Sequence, residues 1–140
     1  MQIREMSLKE LEDIYEVVKQ LRTSLTYKEF EDLIYDMRHM EYKMIGILEK
    51  GEIITYAGVA VQTNLYHKRH LYVFDLVTDE VFRAKGYGKI MLDYLVDFAN
   101  VSMCENIVLS SGFAKEKAHK FYEKNGYEKK SFVFLKNLKN

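Results

Sequence analysis

Seven consecutive residues, Arg83-Ala84-Lys85-Gly86-Tyr87-Gly88-Lys89, carry the clearest chemistry in this 140-residue chain. Gly86 and Gly88 remove side chains where a backbone turns sharply and approaches a ligand. Arg83, Lys85 and Lys89 place three cations in the same stretch. A helix starting here would aim unpaired N–H groups and the positive end of its dipole at one point. That combination suits a pyrophosphate. Two familiar phosphate turns do not fit: a dinucleotide turn needs a third glycine where Met91 stands, and a P-loop needs Ser or Thr where Ile90 follows Lys89. What remains is R-x-x-G-x-G. An ordinary strand-to-helix turn with a solvated basic face has the same composition, and the motif alone does not choose between them.

The neighbouring residues give this turn a strand before it and a helix behind it. Leu71 to Thr78 is a nearly continuous apolar run, as in a strand covered on both faces, interrupted by Asp75. Met91, Tyr94, Leu95 and Phe98 recur at helical spacing after Gly88, to an end near Ser102. Upstream, Gln2 to Met6 reads as a strand. Ser7-Leu8-Lys9-Glu10 and Thr26-Tyr27-Lys28-Glu29 are capping boxes. They open one helix reaching about Arg22 and a second whose apolar face is Phe30, Leu33, Ile34 and Met37, with His39 at its end. Met44–Glu49 and Ile53–Asn64, joined by Lys50-Gly51, form a hairpin, and Tyr66 to Arg69 is a polar connection. Downstream come a short strand at Ile107–Leu109, a helix over Lys115–Lys124 with Ala118, Phe121 and Tyr122 inward, and a left-handed cap at Asn125-Gly126. Period-two Phe132 and Phe134 then predict a last strand within Tyr127–Leu138.

The resulting order, β-α-α-β-β-β-α-β-α-β, predicts an α/β fold with a mixed sheet and helices on both faces. One domain spanning 1–140 is expected, since no linker, repeat or low-complexity stretch is visible and proline, usually about 5% of residues, is absent. Lys+Arg and Asp+Glu both number 21, so bulk charge offers nothing to nucleic acid or a membrane surface. No apolar run is long enough to span a bilayer. The single cysteine, Cys104, permits no intrachain disulfide and no cysteine zinc cluster, and the first residues lack a signal peptide's apolar core. A cytoplasmic protein is the simplest expectation.

The strand, R-x-x-G-x-G turn and long helix resemble the acetyl-CoA-binding segment of the GCN5-related N-acetyltransferase (GNAT) family, written Q/R-x-x-G-x-G/A. The element order resembles that family along the whole chain. Ala118-His119-Lys120-Phe121-Tyr122-Glu123-Lys124-Asn125-Gly126-Tyr127 is a second likeness, to the family's A-x-x-x-Y-x-x-x-G-F/Y, in a form similar to aminoalkylphosphonate and aminoglycoside acetyltransferases. One departure is Glu80, where many members carry proline.

The resemblance implies a direct, ternary-complex transfer of acetyl from acetyl-CoA to a primary amine, with CoA as product. A small-molecule acceptor is the first expectation. A protein N-terminus or lysine as acceptor, or a non-catalytic acyl-CoA-binding module, are the alternatives. It implies that backbone groups at Leu76, Val77 and Thr78 pair with the pantetheine arm, and that Arg83, Ala84, Lys85, Gly86, Tyr87, Gly88 and Lys89 hold the pyrophosphate. It makes Tyr122 the general acid for the departing thiolate, although helical spacing beside Phe121 equally suits a core aromatic. For Asp75 three roles stay open: a general base with a pKa raised by burial, an electrostatic anchor for the substrate ammonium, or a brace for the backbone. Tyr27, Phe30, Tyr56, Tyr66 and Tyr72 are available as acceptor-pocket walls, and His119 lies inside the second motif. The four histidines give no zinc arrangement. By analogy with the family, Phe132-Val133-Phe134 offers an edge for a homodimer. No nucleic-acid or membrane partner is expected.

Overall fold

The computed structural model describes residues 1–139. The chain forms two compact units, Met1–Leu109 and Ser110–Asn140. The first contains β1 (Gln2–Met6), α1 (Leu11–Val18), α2 (Tyr27–Met37), β2 (Lys43–Glu49), β3 (Glu52–Asn64), β4 (Lys68–Thr78), α3 (Tyr87–Val101) and β5 (Asn106–Leu109). The second contains α4 (Glu116–Lys124).

The sheet runs β1-β2-β3-β4-β5. Its first four strands are antiparallel and β5 pairs with β4 in parallel, giving the expected mixed sheet. Local chemistry sets its turns. Lys50 and Gly51 both adopt positive φ, 50° and 80°, the handedness that a two-residue hairpin needs to match strand twist. Asn64 accepts the His67 N–H at 2.6 Å, which closes the β3–β4 connection tightly. β4 therefore starts at Lys68, three residues before the apolar run that announced it.

Both capping boxes form. The Ser7 hydroxyl accepts from Lys9 N–H and the Glu10 carboxylate accepts from Ser7 N–H at 2.7 Å. Thr26 and Glu29 exchange the same bonds at 3.1 and 2.9 Å. Glu10 also takes both terminal nitrogens of Arg4, at 2.6 and 3.1 Å. That pairing holds its carboxyl below the usual carboxylate range.

Two apolar clusters sandwich the sheet. Leu11, Ile14, Val17 and Val18 of α1 and Phe30 and Ile34 of α2 pack on one face, over Met6, Met44, Tyr56 and Val77. Met91, Leu95 and Ala99 of α3 pack on the other, over Ile45, Ile47, Ala57, Val59, Leu71 and Val73. Met91 and Leu95 are fully buried, as their spacing predicts, whereas Leu33 on α2 stays exposed.

Three expectations need correction. The first helix opens as a 3-10 turn at Leu8–Glu10 and stops at Val18, with turns carrying the chain on to Arg22. Asp75 does not merely interrupt β4; it follows a bulge. Gly58 faces Asp75 while Val59 faces Val73, so Phe74 is an extra residue. The last strand does not form among the described residues: 127–139 carry no regular structure, and Phe132, Val133, Phe134 and Leu135 are exposed. Alternation is a packing pattern for a strand already held in a ladder, and here no ladder is made. In that second unit α4 does end in the expected left-handed cap, with Gly126 at φ 91° and Tyr127 N–H returning to the Tyr122 carbonyl at 3.0 Å.

Leu95→Ala empties the centre of the α3 face and should cost about 2–5 kcal/mol in urea unfolding. Glu10→Gln should destabilise the chain at neutral pH. The folded-state pKa of Glu10 is depressed, so its contribution exists above the unfolded value of about 4 and disappears as pH falls through the folded one. Wild-type and variant unfolding midpoints should therefore converge in acid.

Candidate active site

β4 is the element on which the site is assembled. Its residues 70–73 pair with β5, but β5 ends at Leu109 opposite Val73. From Phe74 to Thr78 the strand has β3 on one side and, among the described residues, no strand on the other. The ladder alternation fixes which backbone groups face that open edge. Asp79 N–H donates to the Ile54 carbonyl at 2.8 Å, so the hydrogen-bonded pairs fall at Asp79 and Val77. Val77 therefore turns its N–H and C=O toward Tyr56 of β3. Leu76 and Thr78 turn theirs to the open side, where the Thr78 carbonyl already accepts from Arg83 Nε at 2.9 Å. Of the three predicted strand residues, two face the edge.

The basic turn follows directly. Asp79 caps a short 3-10 turn, Glu80–Phe82, through Val81 N–H. Ala84 and Gly86 then adopt left-handed conformations at φ 63° and 89°, and Gly86 is the N-cap of α3. A Cβ built at Gly86 would meet nothing within 4 Å. The glycine is thus needed for its backbone angle, and the space beside it is open. The first helical bond is Ile90 N–H to the Gly86 carbonyl. The N–H groups of residues 84–89 make no hydrogen bond among the described residues. This is an anion cradle made of main chain.

Its cations do less than their number suggests. Arg83 is a strut: it donates to Thr78 O and, at 3.4 Å, to Gln20 Oε1, which also accepts Glu80 N–H at 2.8 Å. Lys89 pairs with Asp93 one turn along the helix. Lys85 lies over the Phe82 ring at 5.6 Å.

At the bulge the phase of β4 changes. Leu71, Val73 and Leu76 all join the α3-side cluster, whereas Val77 joins the opposite one. Phe74 and Asp75, although successive, both meet Tyr42: ring centroids of Phe74 and Tyr42 are 5.6 Å apart, and the Tyr42 hydroxyl donates to Asp75 Oδ2 at 2.8 Å. Arg22 donates through Nε to Asp75 Oδ1 at 2.8 Å and through a terminal nitrogen to the Phe74 carbonyl at 2.9 Å. Tyr42 is also 2.7 Å from the Tyr56 hydroxyl. Burial pushes both phenols well above the ordinary tyrosine value, with Asp75 close by adding to it. Both remain neutral donors. Of the three roles open to Asp75, these partners match the brace. Tyr42 and Arg22 were missed in the sequence, where neither lies in a motif; only their meeting in space marks them.

The remaining predicted residues are placed as follows. Tyr122 sits on α4 in the second unit, beside Phe121 and Tyr127 with ring centroids 5.5 and 5.9 Å away. Burial raises its pKa, and its hydroxyl makes no hydrogen bond among the described residues. His119 Nε2 lies 2.8 Å from the Gly112 carbonyl, which ties down the loop before α4. Tyr27 and Phe30 stack with Tyr15, Tyr27 half-buried, and Phe30 and Tyr56 lie buried in the core. Tyr72 stacks on Phe74 at 4.7 Å beside the bulge. No trio of metal-ligating side chains, and no helix long and apolar enough to cross a membrane, occurs among the described residues. A surface hollow of about 480 Å³ is lined by Met6, Leu8, Ile34, Arg38, Tyr42 and Met44 among others. None of its lining residues belongs to the cradle or the open edge.

An open strand edge thus leads into a turn of unpaired main-chain N–H groups, and comparison with known proteins gives the family. Residues 7–127 match the acetyltransferase (GNAT) family. The chain belongs to that family. An uncharacterized N-acetyltransferase of Bacillus subtilis is 32% identical over 132 residues, 93% of each chain. The aminoalkylphosphonate N-acetyltransferase of Salmonella typhimurium is 24% identical over 98% of this chain and 91% of its own. Among solved structures, an aminoglycoside N-acetyltransferase in complex with CoA superposes with a TM-score of 0.83 at 14% identity, covering 99% of this chain and 95% of its own. Glucosamine-6-phosphate N-acetyltransferase from Arabidopsis thaliana gives 0.77 at 24% identity, covering 98% and 97%. These two likenesses show the GNAT fold. The GNAT family uses acetyl-CoA.

Gly86→Ala leaves room for its methyl but penalises the left-handed angle, by about 1–2 kcal/mol. The variant should stay folded and bind acetyl-CoA at least several-fold more weakly in a calorimetric titration. Unchanged affinity would show that the cradle does not hold the pyrophosphate.

Proposed function

We propose that this GNAT protein transfers an acetyl group from acetyl-CoA directly to a primary amine of a small molecule. The observation that carries the reading is the cradle of unpaired N–H groups at the start of α3, continuous with the unpartnered edge of β4. When bound, acetyl-CoA supplies the activated acyl group and a thiol leaving group. The N–H groups of residues 84–89 hold the pyrophosphate, with Arg83 fixing the turn from behind. Leu76 and Thr78 present backbone donors and acceptors to the amide-bearing arm.

As the amine nitrogen bonds the acyl carbon and the C–S bond breaks, Tyr122 gives its proton to the departing thiolate, and the proton that the nitrogen sheds to solvent restores the phenol. Its raised pKa keeps the phenol protonated at neutral pH, and its hydroxyl is not committed to another hydrogen bond among the described residues. A small-molecule acceptor is supported by the names of the relatives, whose acceptors are aminoalkylphosphonates, aminoglycosides and an amino-sugar phosphate.

Thiol release from acetyl-CoA, measured over a panel of primary amines with a lysine peptide included, tests this directly. Turnover confined to the peptide would replace the acceptor class, and saturable binding without any turnover would leave an acyl-CoA-binding module. Tyr122→Phe should bind acetyl-CoA as the wild type does and lose about 10²-fold or more in turnover. The alkaline limb of the wild-type pH profile should follow the phenol, which deprotonates above its ordinary value of about 10; the variant should lack that limb.

A further inference from the structure

The bulge in β4 has an unusual support. A bulge leaves one residue outside the ladder, and this one lies where β5 has already ended. The Phe74 carbonyl takes a side chain as a partner. Arg22, reaching in from the turns after α1, bonds that carbonyl and the carboxylate of the next residue with one planar guanidinium. Asp75 Oδ2 is held from the other side by Tyr42. Tyr42 has one proton and gives it to Asp75, so the Tyr56 hydroxyl must donate to Tyr42. The chain of donors therefore runs one way, from Tyr56 through Tyr42 to Asp75, and meets Arg22 there. Gly58, directly across from Asp75, leaves the room that the Tyr42 hydroxyl occupies, since any Cβ at this position would collide with it.

We propose that Arg22 is a positioning residue for acetyl transfer: it locks the Phe74–Asp75 bulge in one geometry, with Tyr42 as its counterpart across the carboxylate. This rests on the catalytic reading above. The arrangement is not explained by stability alone. Arg22 keeps 46% of its side chain exposed, and ion pairs of that kind contribute little to folding. Arg22 and Tyr42 each hold one oxygen of Asp75, so the carboxylate is fixed from two sides. What the network does is remove freedom from two successive residues of the strand that carries the site, where small displacements are costly to rate.

Three variants test it, each assayed by acetyl-CoA titration and by thiol release with 2-aminoethylphosphonate, glucosamine 6-phosphate and a lysine peptide. Arg22→Met should bind acetyl-CoA within about twofold of wild type and lose about 10²-fold in kcat/KM for the amine that the wild type uses. Arg22→Lys, which keeps the charge but not the two-pronged contact, should recover part of kcat. Gly58→Ala, which displaces Tyr42 without touching Arg22, should reproduce the kcat loss. Wild-type turnover in Arg22→Met, or a loss of acetyl-CoA binding in step with turnover, would overturn the proposal. Wild-type protein that binds acetyl-CoA and acetylates none of the amines would instead remove the catalytic reading beneath it.

Discussion

One extra residue in one strand decides how this protein is built. A strand without a bulge places every second side chain on one face, so Leu71, Val73, Asp75 and Val77 would all point toward α3. A carboxylate would then lie among Met91, Leu95 and Ala99, with no partner for its charge, a costly arrangement. The additional residue at Phe74 reverses the phase. Val73 and Leu76 stay on the α3 face, and Asp75 and Val77 move to the face of α1 and α2, where Arg22 and Tyr42 are waiting. The apolar register of both layers and the charge of Asp75 are reconciled by the same local irregularity.

The bulge also marks a change in what β4 is for. From His70 to Val73 it is an interior strand, paired on both sides. Beyond it, one edge is unpaired, and unpaired edges invite another strand. Here the edge is short, backed by β3 and followed at once by the left-handed turn at Ala84 and Gly86. Charge selection at that turn belongs to the main chain. Arg83 is spent on Thr78 and Gln20, and Lys89 on Asp93, so what faces outward is a set of N–H dipoles fixed by backbone angles. Such a site loses its function through a change of backbone conformation more readily than through loss of one charge.

What could be read in the sequence was whatever depends on neighbours along the chain. Capping boxes, the Lys50-Gly51 turn, the helix behind Gly88 and the glycine motif are all local, and all appear where their residues predict. Arg22 and Tyr42 meet Asp75 across separations of 53 and 33 residues, and no spacing rule connects them. The phase change at Phe74 was equally hidden. Period-two reasoning assumes an unbroken pleat, so Asp75 looked like a polar residue in an apolar strand and not like the residue after a bulge. Phe132 and Phe134 erred in the opposite direction: their alternation is right for a strand, but alternation does not supply a ladder.

The early end of α1 has a consequence that the predicted helix to Arg22 would have denied it. In a helix, residues two apart point to nearly opposite sides. Continued through Arg22, α1 could not have sent both Gln20 and Arg22 toward β4. Because it stops at Val18 and unwinds through turns, Gln20 reaches the Glu80 N–H and Arg83 at the entrance to the cradle, while Arg22 reaches Phe74 and Asp75 at the bulge. The two ends of the working half of β4 are thus held from a single turn of chain. A shift of that turn would be felt at both the cradle and the bulge, which makes residues 19–22 the place where the anion-binding and bulge-bearing parts of the strand are mechanically joined.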